Sequence, residues 1–556
     1  MQQNTLKFQK DSQRRCFSGR VRVRKVAMSR LKFILLWLLL STAIMTWWMR
    51  GNRAFHAATD LSPQMSASIQ PSGIGDADTF PGDLQDASIA NRKVPDLIWL
   101  RRLCLALTGT IPSVEWIRDF ESWPEEMRVS NALQRIFEDP RYGDYMAERF
   151  ARAFVGVESG PFLVFRRRRM VDDLSESIQS NQPYDQVIRE MITAHGVWTS
   201  NPEVNFLTAT IDPNNDQEGP DEVKLAARVS RAFLGVRIDC VQCHDDMFGD
   251  RWKQRDFHQL ASFFAGAEMS LTGLVESEKQ YEYRYKRRAE TEVVPPVVPF
   301  LQNLLPQEGS LRERLAAWVT HPENLPFART LVNRVWAIMF NRPMVEPVDS
   351  IPLDGPVPER MDDLANETVE HGFDLQHLIR TIAMTEEFCR SSRGSSGEED
   401  KLFPLTRLRP EQVAGSIIQS ASLETVDVDS HIFSRIIRVL QQGEFIKRYG
   451  DAGEAEFEAK SGTIPQRLTL MNGKLVHERT EKNPIMNAAT RIGFLAADDG
   501  TAVETAYLAV LTRRPTSEEM DHFKDRLSGT KKDARANAMQ DLYWALLNST
   551  EFAWNH

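Results

Sequence analysis

Cys240-Val241-Gln242-Cys243-His244 is the stretch of this 556-residue sequence whose residue types and spacing could do chemistry. Two thiols separated by two residues can add to the two vinyl groups of a haem, and the adjacent imidazole can ligate its iron. The same pair can close a disulfide. It can also hold zinc with His244 and a further donor from among Asp245, Asp246, Asp250 and His258, because zinc accepts sulfur, nitrogen and oxygen ligands. A haem c, a zinc site, and a thiol or disulfide pair without cofactor all stay open on the residues alone. For a haem, the distal ligand is the least defined part. Met247 lies only three residues from His244, whereas Met269 and His258 are better placed along the chain.

The other conspicuous residues have plainer readings. Cys16 belongs to the N-terminal leader, Cys104 sits in the apolar run LCLALTG, and Cys389 ends a helical pattern. Arg166–Arg169 could meet an anion or haem propionates, but pairing with Asp172 and Asp173 at a helix end accounts for them more simply. His371 and His377 flank a helix start and read as surface residues or cap partners. The chain has no GxSxG, HExxH, Walker or dinucleotide-binding motif. A metal–carboxylate hydrolase would have only Asp245, Asp246, Asp250 and His258 behind it.

Charge is unevenly spread. Residues 1–50 hold 11 Lys/Arg and one acidic residue, while the remainder holds 57 Lys/Arg against 76 Asp/Glu, a net charge of −19. A nucleic-acid binder carries its positive charge in the folded part, so no nucleic-acid partner is expected. The basic start runs directly into the apolar stretch Phe33–Met49, which as a helix rises about 25 Å. Positive charge before it and acidity after it predict that the N-terminus stays inside and the body crosses. Residues 1–58 are therefore expected to be a signal peptide, cut near Phe55–Ala58, or a single transmembrane anchor. The body is then secreted or membrane-anchored on the periplasmic side, a compartment that suits covalent haem. Expected partners are the membrane, through that helix, and redox or envelope proteins. Residues 59–94, rich in Asp, Ser, Pro and Gly, read as a flexible linker.

The elements that must position the CxxCH stretch are mostly helices. Ser113 is a plausible cap for Val114–Phe120, Pro140 opens an amphipathic run, and Pro183 breaks the chain before YDQVIREMITAH. DEVKLAARVSRAFLG has a broad apolar face ending at Gly235. Thr516 and Glu519 form a capping box. The last helix is expected to bury Leu542, Trp544, Leu546, Leu547 and Phe552. Residues 270–310 break the helical rhythm with EKQYEYRYKRRAETEV and VVPPVVPF, and alternating Tyr281, Tyr283 and Tyr285 suggest an exposed strand. The fold class is mainly α-helical: two helical domains, 95–269 and 311–556, with a short irregular or β-containing insert between them.

These residues carry a family resemblance. LCLALTGTIPS (103–113), IFEDPRYGDYMAERFAR (136–152), NQPYDQVIREMI (181–192) and FLGVRIDCVQCHDDMFGDRWKQRDFHQLASFF (233–264) resemble DUF1549. LAAWVTHPENLPFARTLVNRVWAIMFNR (315–342), HGFDLQHLIRTIAMTEEF (371–388), LTRRPTSEEM (511–520) and WALLNSTEFAWNH (544–556) resemble DUF1553. The resemblance implies an exported protein of planctomycete type that often accompanies cytochrome-c-like modules, and it brings no catalytic activity with it. The family's cysteine motif falls on Cys240, Cys243, His244 and Asp245. A second family histidine is replaced here by Asp246, its lysine by Met247 and a later aspartate by Gly249, so any metal set that used that histidine is altered in this chain.

Overall fold

The computed structural model describes residues 94–157, 165–212, 219–246, 251–285, 290–392, 402–426, 442–450, 453, 457, 463–484 and 487–556. The leader, the linker up to residue 93, Met247 and Asp250 lie outside the described residues. Among the described residues no helix is long and apolar enough to cross a membrane.

The protein is mainly α-helical, and the described strands form three two-stranded antiparallel pairs. Local sequence sets many of the helix ends. Ser113 accepts a hydrogen bond from the Trp116 amide at 3.0 Å and starts Val114–Ser122. Pro140 occupies the first turn of Pro140–Val155, where its missing N–H has no helical partner to lose. Thr516 and Glu519 exchange both bonds of a capping box ahead of Ser517–Leu527. The helix Glu222–Ala232 stops three residues before Gly235, whose φ of +62° turns the chain toward the cysteines. A Cβ there would lie 2.6 Å from Thr330 Oγ1, so glycine is required twice over.

The helix Asp96–Thr108 runs through the middle of the core and is buried from Trp99 onward. Its two arginines donate to backbone carbonyls from far along the chain. Arg101 donates to Val510 O and Phe552 O at 3.3 and 3.2 Å. Arg102 donates to Phe388 O, Arg390 O and His556 O, each at 2.8 Å, and its guanidinium lies over the Phe403 ring. A buried guanidinium needs such acceptors, because an isolated charge in the interior is very unfavourable. One hydrophobic core therefore runs across both halves of the sequence.

Two expectations need correction. Trp544 does not join the core: it is 41% exposed, with its indole N–H donating to Met471 O. On a helix, Leu542, Tyr543, Leu546 and Leu547 share one face, and position 544 falls on the far side. The tyrosine strand exists but is not exposed on its aromatic side. Glu282–Tyr283 pairs with Glu292–Val293, and the period of two turns Tyr281, Tyr283 and Tyr285 inward while Glu282 and Arg284 face water.

Candidate functional site

The cysteine motif begins on a one-turn 3₁₀ helix, Asp239–Gln242. Ile238 and Val241 are buried and anchor this turn, and their spacing of three places Cys240, Cys243 and His244 on the outside. Both thiols are exposed and free. The Cys240 Sγ lies 3.9 Å from Arg237 O, a weak thiol hydrogen bond.

The segment that leads into the turn is held by residues from the other half of the chain. Asp349 is buried between Arg231 and Arg237, with contacts of 2.7 and 2.8 Å to their Nε atoms. Burial alone would raise the Asp349 carboxyl, but the two guanidiniums overcome this and hold it below the ordinary carboxylate range. Ile351 N donates to Gly235 O at 2.7 Å, and Arg251 pairs with Asp354. The proline-rich loop 343–358 thus braces the cysteine segment.

From the other side the turn is held through the Gln242 carbonyl, between the two cysteines. It accepts from His258 Nε2 at 3.0 Å and from Gln254 Nε2 at 2.9 Å. A carbonyl only accepts, so His258 carries its proton on Nε2, and Nδ1 accepts from the Tyr281 hydroxyl at 2.9 Å. Burial lowers the His258 pKa below its ordinary value, against a smaller opposing effect of the Gln242 carbonyl, and keeps the ring neutral. The Tyr283 ring stacks on His258 with centroids 3.5 Å apart, and its hydroxyl lies 3.3 Å from Gln254 Nε2. Burial, with Cys243 beside it, raises the Tyr283 pKa.

His244 is exposed, and its Nδ1 lies 2.8 Å from Asp245 O. The same reasoning puts the proton on Nδ1 and leaves the Nε2 lone pair facing outward. A backbone carbonyl behind Nδ1 is a common way of orienting an imidazole that ligates a metal through Nε2.

The residues picked out in the sequence divide accordingly. Cys240, Cys243 and His244 share one exposed turn. His258 lies directly beneath it, and both its nitrogens are engaged, so it supports the turn rather than joining the thiols as a ligand. Asp245 Oδ1 caps the helix Gln254–Ala261 by accepting from Gln254 N at 2.8 Å. Asp246 is held through its own amide, which donates to Trp252 O. Met269 is half-buried on the strand Ala267–Ser270. The arginine run is used within the fold: Arg167 forks onto Glu148, and Arg168 pairs with Asp172. Sequence reasoning passed over Gln254, Tyr281 and Asp349 as parts of this site. The alternation of Tyr281, Tyr283 and Tyr285 was the one signal of an inward aromatic face.

Two family models match the chain. The first, PSCyt2, described as a protein of unknown function (DUF1549), covers residues 83–269, and the second, PSD1, a protein of unknown function (DUF1553), covers residues 311–436. No curated protein and no solved structure matches it. The braced cysteine turn lies in the first matched segment and the loop that braces it in the second, so the chain belongs with the proteins that carry DUF1549 followed by DUF1553.

Proposed function

We propose that this is an envelope protein, tethered by its N-terminal segment or exported, whose Cys240-Val241-Gln242-Cys243-His244 turn takes a covalently attached c-type haem and serves in electron transfer. The observation that carries the reading is the orientation of His244, with Nδ1 tied to the Asp245 carbonyl and Nε2 left as the lone-pair nitrogen, on an exposed turn that also carries two free thiols. The donor set fits the group: Cys240 and Cys243 would form the thioether links, and His244 would ligate the iron. When bound, haem supplies one-electron chemistry. The protein's own part is to hold the turn. His258 and Gln254 fix the carbonyl between the cysteines, and Asp349 fixes the approach to them. The acidic body suits cationic partner surfaces rather than polyanions.

The test is expression of the full chain together with a haem-attachment system, followed by denaturation and intact mass. A mass gain of one haem and haem absorbance that survives denaturation are expected. Cys240→Ser with Cys243→Ser should abolish both, and His244→Ala should keep the covalent haem but change its axial-ligand spectrum. A product carrying only a disulfide, or zinc on the thiols, would replace this reading with a non-redox structural or binding role.

A further inference from the structure

A second set of ligating side chains lies well away in sequence from the cysteine turn. Glu367, His371 and His377 each offer a ligand atom, and these atoms all lie within 4.8 Å of one another. Glu367 and His371 are one helical turn apart at the end of Glu359–Glu370. His377 sits in the first turn of the next helix, Leu375–Met384. The chain reverses between them at Gly372 and Phe373, with φ of +62° and +58°. Phe373 is buried, and its amide donates to Thr368 O at 2.8 Å. This reversal lays the two imidazoles on one another, with centroids 3.7 Å apart and planes within 12°.

Each donor is aimed by a neighbour. His371 Nδ1 faces Glu367 O at 2.9 Å, a carbonyl, so the proton is on Nδ1 and the Nε2 lone pair is left bare. Glu367 Oε1 accepts from His377 Nε2 at 2.7 Å and from the Thr381 hydroxyl at 3.0 Å. Asp374 Oδ1 accepts from the His377 amide at 2.8 Å and from Asn181 Nδ2 at 2.9 Å, which pins the start of the second helix. A structural His377–Glu367 hydrogen bond would need neither His371 nor its orientation. Two imidazoles and one carboxylate, half open to water and backed by a hydroxyl and a carbonyl, match a zinc ligand set with a free fourth position.

We propose that Glu367, His371 and His377 bind a divalent cation of the zinc class, with water in the remaining position. A tetrahedral zinc with ligands at about 2.1 Å brings neighbouring ligand atoms to about 3.4 Å. Side-chain rotation within the 4.8 Å cluster supplies that closure. On binding, the His377 proton moves from Nε2 to Nδ1, and Nε2 turns from its Glu367 hydrogen bond to the metal. Hard cations such as magnesium prefer all-oxygen sites and are not expected here.

The proposal is independent of the haem reading, and its test removes the thiols of the cysteine turn. Full chain carrying Cys240→Ser and Cys243→Ser, stripped with a chelator, is titrated with zinc chloride alone by calorimetry and equilibrium dialysis. Wild-type chain with its thiols alkylated serves as a second background. One saturable zinc equivalent is expected in both, with no competition from millimolar magnesium. His371→Ala, at an exposed position, should weaken binding about 100-fold, and the isosteric Glu367→Gln should do likewise. Thr381→Val should weaken it about 10-fold, because it removes only the group that orients Glu367. Absence of a saturable equivalent in both backgrounds, or affinity unchanged from the parent chain in His371→Ala and Glu367→Gln, overturns the proposal.

Discussion

Glu411→Ala is expected to destabilise the protein by about 3–5 kcal/mol, the largest loss from a single substitution outside the apolar core. Glu411 sits in the first turn of Pro410–Ser420, and its Oε1 accepts from Arg149 at 2.7 Å and from Arg409 at 3.1 Å. All three side chains are under 10% exposed. Removing the carboxylate takes a buried countercharge away from both guanidiniums, and that penalty exceeds whatever the pair contributed. Glu411→Gln should therefore be nearly as damaging, although it keeps the shape. The pH dependence gives a separate check. Burial alone would raise the Glu411 carboxyl, but Arg149, Arg409 and Arg152 overcome that and hold it below the ordinary carboxylate range. A depressed carboxylate contributes stability that is complete above its unfolded pKa and is lost as pH falls through the folded one. Chemical denaturation followed by tryptophan fluorescence should show that acid-side loss in the wild type. The Glu411→Gln variant should lose the part of it that Glu411 contributes, while the part from other depressed carboxylates such as Asp349 stays.

The helical character was legible in the sequence because it rests on short-range rules. Ser113, Pro140 and Thr516 act within one turn of themselves, and each stands where the sequence placed it. What could not be read was pairing across hundreds of residues. Arg101 and Arg102 look like ordinary charged positions in an apolar helix, and only the fold supplies the carbonyls of Val510, Phe552 and His556 that allow their burial. The site shows the same division. Cys240, Cys243 and His244 could be found because their chemistry depends on local spacing. Asp349 is 91 residues from His258, and no local pattern connects either of them with the turn. His371 and His377 illustrate a third case. Their six-residue separation looks unremarkable until the left-handed backbone at Gly372 and Phe373 stacks the rings.

His258→Ala is expected to loosen the cysteine turn by about 2–4 kcal/mol, the sum of a cavity and of broken buried hydrogen bonds. His258 is 1% exposed, and its ring fills the space between the Tyr283 face, the Tyr281 hydroxyl and the Gln242 carbonyl. Alanine would leave the Tyr281 hydroxyl without its acceptor. It would also leave the Gln242 carbonyl with Gln254 as its one remaining side-chain donor. The anchors Ile238 and Val241 stay in place, so the loss should be local to residues 238–245. At about 1.4 kcal/mol per factor of ten, amide exchange there should speed up about 30-fold or more, with Pro140–Val155 unchanged. The protonation state makes the argument sharper. A histidine buried neutral has its folded pKa below the ordinary histidine value of about 6.5. Its contribution is therefore complete above that value and declines as pH falls below it, where the open turn takes up a proton that the closed turn excludes. Wild-type exchange at residues 238–245, taken relative to the intrinsic amide rate at each pH, should accelerate below about pH 6.5, and His258→Gln should remove that acceleration. Tyr281, Tyr283 and Tyr285, the side chains that face the imidazole, do not titrate in this range. If the acceleration survived in His258→Gln, another group would be opening the turn, and His258 would be filling space beneath the cysteines without governing them.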